Sequence, residues 1–264
     1  IPNIPVDARW AQNGVTVAGG HGYGSATNQL KRPFGLFVDD DQTIVIADRY
    51  NHRIIQWKMD DTKGQVVAGD NGAGRRLDQL NVPTDVLIDK ETNSLIICDQ
   101  DNRRVVRWSR RSGTTEGEIL IGNIDPWGLT MDDERYLYIS DYKKHEIRRY
   151  QIGDKNGTLA TGGNRLNFPT YIFVDQQQTV YVSDNENHRV MRWPKGAKQG
   201  TVIVGGNGEG KRANQFNYPD DLSFDRQGNL YVADYGNNRV QRFSIGGTHN
   251  DGVFYFLLNK LKLN

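Results

Sequence analysis

A chain of 264 residues, 36% hydrophobic and 25% charged, is long enough to bury a sizeable core, either as one all-β unit or as two ordinary domains. Its net charge of +1 lacks the basic excess that would by itself signal nucleic acid. Its single cysteine, Cys98, excludes an internal disulfide framework, and its longest apolar run, Val253 to Leu258, is far too short to cross a bilayer.

Taken in chain order, residues 1-13 read as a lead-in that begins on Ile1 with no charged-then-apolar leader, as in a processed or trimmed product. A glycine-framed strand follows, "GVTVAG" from Gly14, and then a glycine-rich link, "GGHGYGSATNQLKR". From Pro33 the segment "PFGLFVDDDQTIVIADRYNHRIIQW" gives three short apolar runs separated by polar turns, the pattern of three β-strands. A second glycine-framed run, "GQVVAG" from Gly64, supplies a fourth.

The same ruler then repeats. Prolines 33, 83, 126, 169 and 219 are each followed six residues later by Asp39, Asp89, Asp132, Asp175 and Asp225. A second aspartate stands nine or ten residues beyond (Asp48, Asp99, Asp141, Asp184, Asp234), and an aromatic nine beyond that (Trp57, Trp108, Tyr150, Trp193, Phe243). Further glycine-framed runs begin at Gly117, Gly157 and Gly200. Four antiparallel strands every 43 to 50 residues predict the blades of a β-propeller. Because the first fourth strand precedes the first three-strand unit, the N-terminal strand is expected to close the ring as the outer edge of the last blade. The fold expected is therefore an all-β, five-bladed propeller over 14-243, with a C-terminal tail, 244-264, in which "GVFYFLL" competes for the closing edge or begins a sixth blade.

The segments "VIADRYNHRIIQW", "YVSDNENHRVMRW" and "YVADYGNNRVQRF" resemble the NHL family of β-propellers. That resemblance implies a ring that usually has six blades, and members that range from RNA- and protein-binding modules through extracellular sensors to a metal-using amidating lyase. Fold is thus specified more closely than function.

Within the repeats, Arg53, Arg104, Arg189 and Arg239 fall at one position, as do His52, His145 and His188, so scaffold roles are expected. Blade three departs with Glu146 and a local basic cluster around Lys143, Lys144, Arg148 and Arg149, near "RRVVRWSRR". Three inter-blade links are long and glycine-rich, before blades one, two and five, and two are short, before blades three and four. "GGNGEGKR" comes close to a nucleotide-binding loop, but no helix follows, so it reads as a blade-to-blade connection. These links place a candidate recognition rim on one face: Tyr23, Tyr50, Arg75, Arg76, Tyr142, Lys143, Lys144, Lys211, Arg212 and Tyr235. The residues just after each proline are expected at the mouth of the central channel, where Phe34, Asp85, Trp127, Tyr171, Asp220 and Asp221 bring aromatics and carboxylates together.

No nucleophile, metal or phosphate motif appears, so neither catalytic residues nor a cofactor or metal are assigned. The function expected is a non-catalytic binding module, monomeric, recognising a protein or small ligand on its long-loop face. Single-stranded RNA binding and a metal-dependent lyase- or lactonase-type enzyme at the channel mouth are the alternatives. Asn156-Gly157-Thr158 is a glycosylation acceptor pattern that leans toward a secreted, extracellular setting without fixing the compartment.

Overall fold

A computed structural model describes residues 4, 5, 7–132, 134–162, 171–175, 177 and 179–246. The short link before blade four, with Pro169 and Thr170, and the segment 247–264, with "GVFYFLL" and His249, lie outside the described residues.

Five four-stranded antiparallel sheets stand as blades around an axis. Blade one is Pro33–Val38, Ile44–Asp48, Arg53–Trp57 and Gln65–Gly69, from the axis outward. Blade two is Pro83–Asp89, Ser94–Asp99, Arg104–Ser109 and Glu118–Gly122, and blade three is Pro126–Met131, Tyr136–Asp141, Glu146–Gln151 and Thr158–Gly162. Blade four is Ile172–Val174, Val180–Asp184, Arg189–Trp193 and Thr201–Gly205. Blade five takes Pro219–Phe224, Leu230–Asp234 and Arg239–Phe243 from the end of the chain and Val15–Gly19 from its start, in register Val15 with Arg242 and Gly19 with Arg239. The ring is closed by the N-terminal strand, as expected.

The strands alternate in a way that serves two neighbours. In blade one, Ile44, Ile46 and Ile55 pack with Tyr231, Ala233 and Val240 of blade five, whereas Val45, Ala47 and Ile54 pack with Val86, Leu95 and Ile97 of blade two. Both faces of the second strand are buried, so period-two alternation here sorts residues between neighbouring layers rather than between core and water. The repeat aromatic has a fixed counterpart: a Cβ on Gly64 would stand 2.8 Å from the Trp57 ring, and one on Gly117 2.8 Å from that of Trp108. The glycine that frames each outer strand is thus the floor on which the third-strand aromatic lies.

The lead-in joins the fold. Arg9–Trp10 pairs with Ile245–Gly246, Trp10 donates its indole N–H to the Gly228 carbonyl at 2.9 Å, and its ring packs beside Tyr181 and Phe224 between blades four and five.

The repeated polar residues build a clasp at the top of three blades. In blade two, Asp99 accepts the Asn81 backbone N–H at 2.7 Å, the Asn102 amide at 2.8 Å and Arg104 Nε at 2.6 Å. Arg104 then donates to the carbonyls of Arg75, Arg76 and Gln79 at 3.0, 3.0 and 2.9 Å. Asp48 with Arg53 and Asp234 with Arg239 repeat this on the links before blades one and five. Blade four keeps the ion pair, Arg189 to Asp184 at 2.6 Å. Blade three has only a short link to hold, and there Glu146 replaces the arginine and turns to Arg148 at 2.8 Å.

Each long link is also closed on itself. Gln79 accepts from the Arg76 N–H and donates to the Asn71 carbonyl, and Gln29 and Gln215 repeat the pattern. The link before blade five opens on Gly205 at φ +78°, where a Cβ would sit 2.6 Å from the His188 carbonyl oxygen. Its carbonyls point inward to Arg239, so the stretch is a clamped connection, not a phosphate cradle.

Breaking one clasp separates a structural ion pair from a surface one. Asp99→Asn leaves the buried Arg104 guanidinium without its counter-charge and is expected to cost about 3–5 kcal/mol in urea unfolding. Arg76→Ala, which removes the exposed pair with Asp78, should leave the midpoint unchanged. Equal midpoints for the two variants would refute the clasp.

Candidate functional site

The prolines that begin the inner strands put two residues per blade against the axis, because the strand bulges there: Pro33 pairs with Asp48, but the next pairing is Leu36 with Ile46. The first of these positions holds Phe34, Thr84, Trp127 and Asp220, and the second holds Gly35, Asp85, Gly128, Tyr171 and Asp221.

Across the axis these side chains touch. The Phe34 ring is 5.2 Å from Trp127 of blade three, 6.1 Å from Tyr171 of blade four and 5.8 Å from Tyr235 of blade five. Trp127 is 5.3 Å from Tyr142, and Tyr171 donates its hydroxyl to the Thr84 carbonyl of blade two. The mouth is therefore a plug of aromatic rings. Where the residues after the prolines are expected to ring an opening, the five-blade circumference is small enough for opposite blades to fill it.

Beneath the plug, the three carboxylates divide. Asp85 accepts the N–H of Val86 and, from blade three, that of Leu129, both at 2.7 Å. Asp221 accepts the N–H of Leu222 at 2.6 Å and, from blade one, that of Leu36 at 2.7 Å. Each ties its inner strand to the next blade. Gly35 lies against this junction, its would-be Cβ 2.6 Å from the Asp85 Cα, which explains why a glycine stands there. Burial pushes Asp85 up to about 8 and Asp221 well above the ordinary carboxylate range. Asp220 has no such backbone donors; burial raises it to about 7, against the pull of the Arg49 charge.

Arg49 is the residue that sequence reasoning missed. It follows Asp48 in the one-turn 3-10 helix Arg49–Asn51, at the position that holds Gln100, Tyr142, Asn185 and Tyr235 in the other blades. Two tyrosines at that position, Tyr142 and Tyr235, are among the expected rim residues, whereas an arginine found there in one blade only carries no repeat signal. Its guanidinium lies 4.5 Å from the Phe34 ring centroid and 5.3 Å from those of Tyr50 and Trp127. Around it, Arg32 covers the Tyr235 ring at 4.6 Å and Gln100 donates to the Tyr142 hydroxyl at 3.2 Å.

The remaining rim residues scatter outward. Tyr50 is exposed, its ring 5.3 Å from the Arg49 guanidinium. Tyr23 is 56% exposed beneath the Lys31 ammonium. Arg75, Lys211 and Arg212 stand on the clamped links, and Arg76 is held by Asp78 at 2.9 Å. The basic cluster of blades two and three is largely consumed internally. Lys143 and Arg103 share Asp125, Lys144 leans on Asp141, and Arg107 and Arg110 reach Glu118 and Asp39.

Two of the repeated histidines are joints between blades. His52 accepts the Val82 N–H at its Nδ1 (3.1 Å), His188 accepts that of Tyr218 (3.2 Å), and Asn238 does the same for Arg32 (3.0 Å). Burial and the nearby Lys31 charge lower the His52 pKa, in keeping with an acceptor imidazole. Among the described residues no group of three or more His, Cys, Asp or Glu is arranged to hold a metal ion, and no helix is long and apolar enough to cross a membrane.

The fold and this mouth define a five-bladed β-propeller whose axis is closed by side chains. The NHL repeat profile matches residues 216–243, the inner three strands of blade five. A gluconolactonase from Xanthomonas campestris superimposes with a TM-score of 0.61 at 11% identity, over 93% of this chain and 98% of that one. A protein of unknown function from Bacteroides thetaiotaomicron gives 0.55 at 16% identity, covering 90% and 77%. An auxiliary nutrient binding protein from the same organism gives 0.53 at 13%, covering 90% and 78%. Identities this low show a shared fold alone. A search of curated proteins finds no match.

The burial of Asp220 predicts a pH-dependent stability. A carboxyl whose folded pKa is raised from 3.8 to about 7 favours the folded state below its unfolded pKa, and that contribution is lost as pH rises through about 7. Asp220→Asn is expected to flatten the fall in urea midpoint between pH 5 and 8 and to exceed the parent protein at pH 8. A slope identical to the parent's would show that Asp220 is not desolvated at the mouth.

Proposed function

We propose that this propeller is a non-catalytic binding module that recognises a partner protein across its long-loop face. The observation that carries the reading is the difference between the two faces. On the opposite face, charges are spent between blades: Arg226 on Asp40, Lys90 on Asp40 at 2.6 Å, Arg110 on Asp39 at 3.2 Å and Arg135 on Asp89 at 2.6 Å. On the long-loop face, Lys31, Arg32 and Arg49 rest on aromatic rings, and Tyr23, Tyr50 and Tyr218 are exposed. Rigid aromatics with cations at their edges are the composition of recognition surfaces.

The clamped links support the same reading, because they hold Arg75, Lys211 and Arg212 on fixed backbone, so that little ordering cost attends binding. Single-stranded RNA is less well served, since most cations of blades two and three already have carboxylate partners.

A photo-cross-linking residue at Tyr50 should trap the partner in extract of the native organism, while one at Asn93, on a turn of the opposite face, should not. The double variant Lys211→Glu with Arg212→Glu should weaken capture without changing the unfolding midpoint. Adducts from Asn93 in place of Tyr50 would count against this face.

A further inference from the structure

We propose that Arg49 is the anchor for a single carboxylate presented by the partner protein at the plugged mouth, an inference that rests on the long-loop face being the binding face. The other arginines of the clasps are closed by aspartate, Arg53 at 2.8 Å, Arg104 at 2.6 Å and Arg239 at 2.7 Å. Arg49 is held differently. Its plane rests on Phe34, Trp127 and Tyr50, and its Nε is buried with no hydrogen-bond partner among the described residues. Stacking fixes the guanidinium but does not satisfy its N–H groups. A planar guanidinium held in place by rings and not closed by a carboxylate among the described residues is the complement of a planar, two-oxygen acceptor.

The surroundings favour one carboxylate over a run of phosphates. Asp220 lies close enough to act on the Arg49 charge, Asp125 is shared by Arg103 and Lys143, and Asp78 pairs with Arg76. A polyanion laid across the mouth would meet these carboxylates in turn, whereas a single acidic group flanked by apolar or aromatic residues has to compete only with Asp220 at Arg49. The Tyr50–Tyr235 pair and Arg32 stand where such flanking residues would lie.

The test uses the folded chain and a defined probe, N-acetyl-phenylalanine, which carries one carboxylate beside one ring. Titration is followed by the arginine Nε–H resonances, with that of Arg49 assigned by its loss in Arg49→Lys. Saturable perturbation of the Arg49 signal is expected from the acid, with binding of its amide weaker by about tenfold or more. Tryptophan emission, followed as the part lost in Trp127→Phe, reports the same titration in the variants. Arg49→Gln should abolish binding, and Arg49→Lys, which keeps the charge but not the fork, should weaken it by about tenfold. Equal binding of acid and amide, or unchanged binding in Arg49→Gln, overturns the proposal, as does a short oligouridylate that binds tighter than the acid and does not need Arg49. If Arg49→Gln unfolds, Arg49→Lys carries the comparison. Retained partner capture at Tyr50 in Arg49→Gln would sink the anchor and leave the face standing, whereas cross-links confined to Asn93 would remove the face itself.

Discussion

The aspartate that ends each second strand, buried in every blade but the fourth, is the constraint on which the rest of this propeller depends. In three blades it gathers a backbone N–H from the incoming link, the amide of the Asn-x-Arg turn and the arginine of the third strand, and that arginine reaches back to three link carbonyls. One ion pair thereby fixes the strand end, the turn and the link before its blade. Buried pairs of this kind contribute less to net stability than their Coulomb attraction suggests, because desolvation offsets it. What they supply here is geometry. A long link with no helix or sheet of its own would otherwise expose many backbone groups, and the clasp satisfies them without burying apolar side chains.

Blade three shows the dependence in reverse. Where the link is only a few residues long there are no carbonyls to gather, and the arginine position has become Glu146. Its basic neighbours lose the look of a contact patch once their carboxylate partners are placed. The residues before the prolines carry the accompanying strain. Arg32, Val82 and Tyr218 sit at φ 56°, 55° and 53°, costly for side-chain-bearing residues and most of all for β-branched Val82. Each offers its N–H to the His or Asn that ends the preceding blade's turn. The joint between blades is therefore a pair of left-handed residues facing each other.

Blade number, strand boundaries and the closing N-terminal strand were legible in the sequence because a repeat states the same constraint five times. The proline, the two aspartates, the aromatic and the framing glycine each mark one contact made in blade after blade. The mouth was less legible, and for the same reason. It is built where the repeats differ: Phe34 and Trp127 against Thr84, Gly35 and Gly128 against Asp85 and Asp221, Arg49 against Gln100. Spacing locates those positions at the axis but is silent on which side chains meet across it. That Phe34 reaches three other blades follows from ring diameter, a property of the closed structure and of no single repeat. Trp10 was hidden likewise, since a lead-in outside the repeat has no period by which to be read.

Ring diameter also decides where recognition can occur. With five blades, Tyr171 spans the axis to the Thr84 carbonyl and Phe34 touches Trp127, so these side chains fill the mouth instead of lining a shaft. The polar groups that a wider ring would present to a solvent-filled channel are here used between neighbouring strands, as Asp85 on Leu129 and Asp221 on Leu36 show. Above the plug, Arg49 and Arg32 stack on aromatic rings rather than pairing with a carboxylate among the described residues. The same closure that costs this propeller its channel thus turns its axis into a floor, and gives a surface the rigidity that a pocket would otherwise provide.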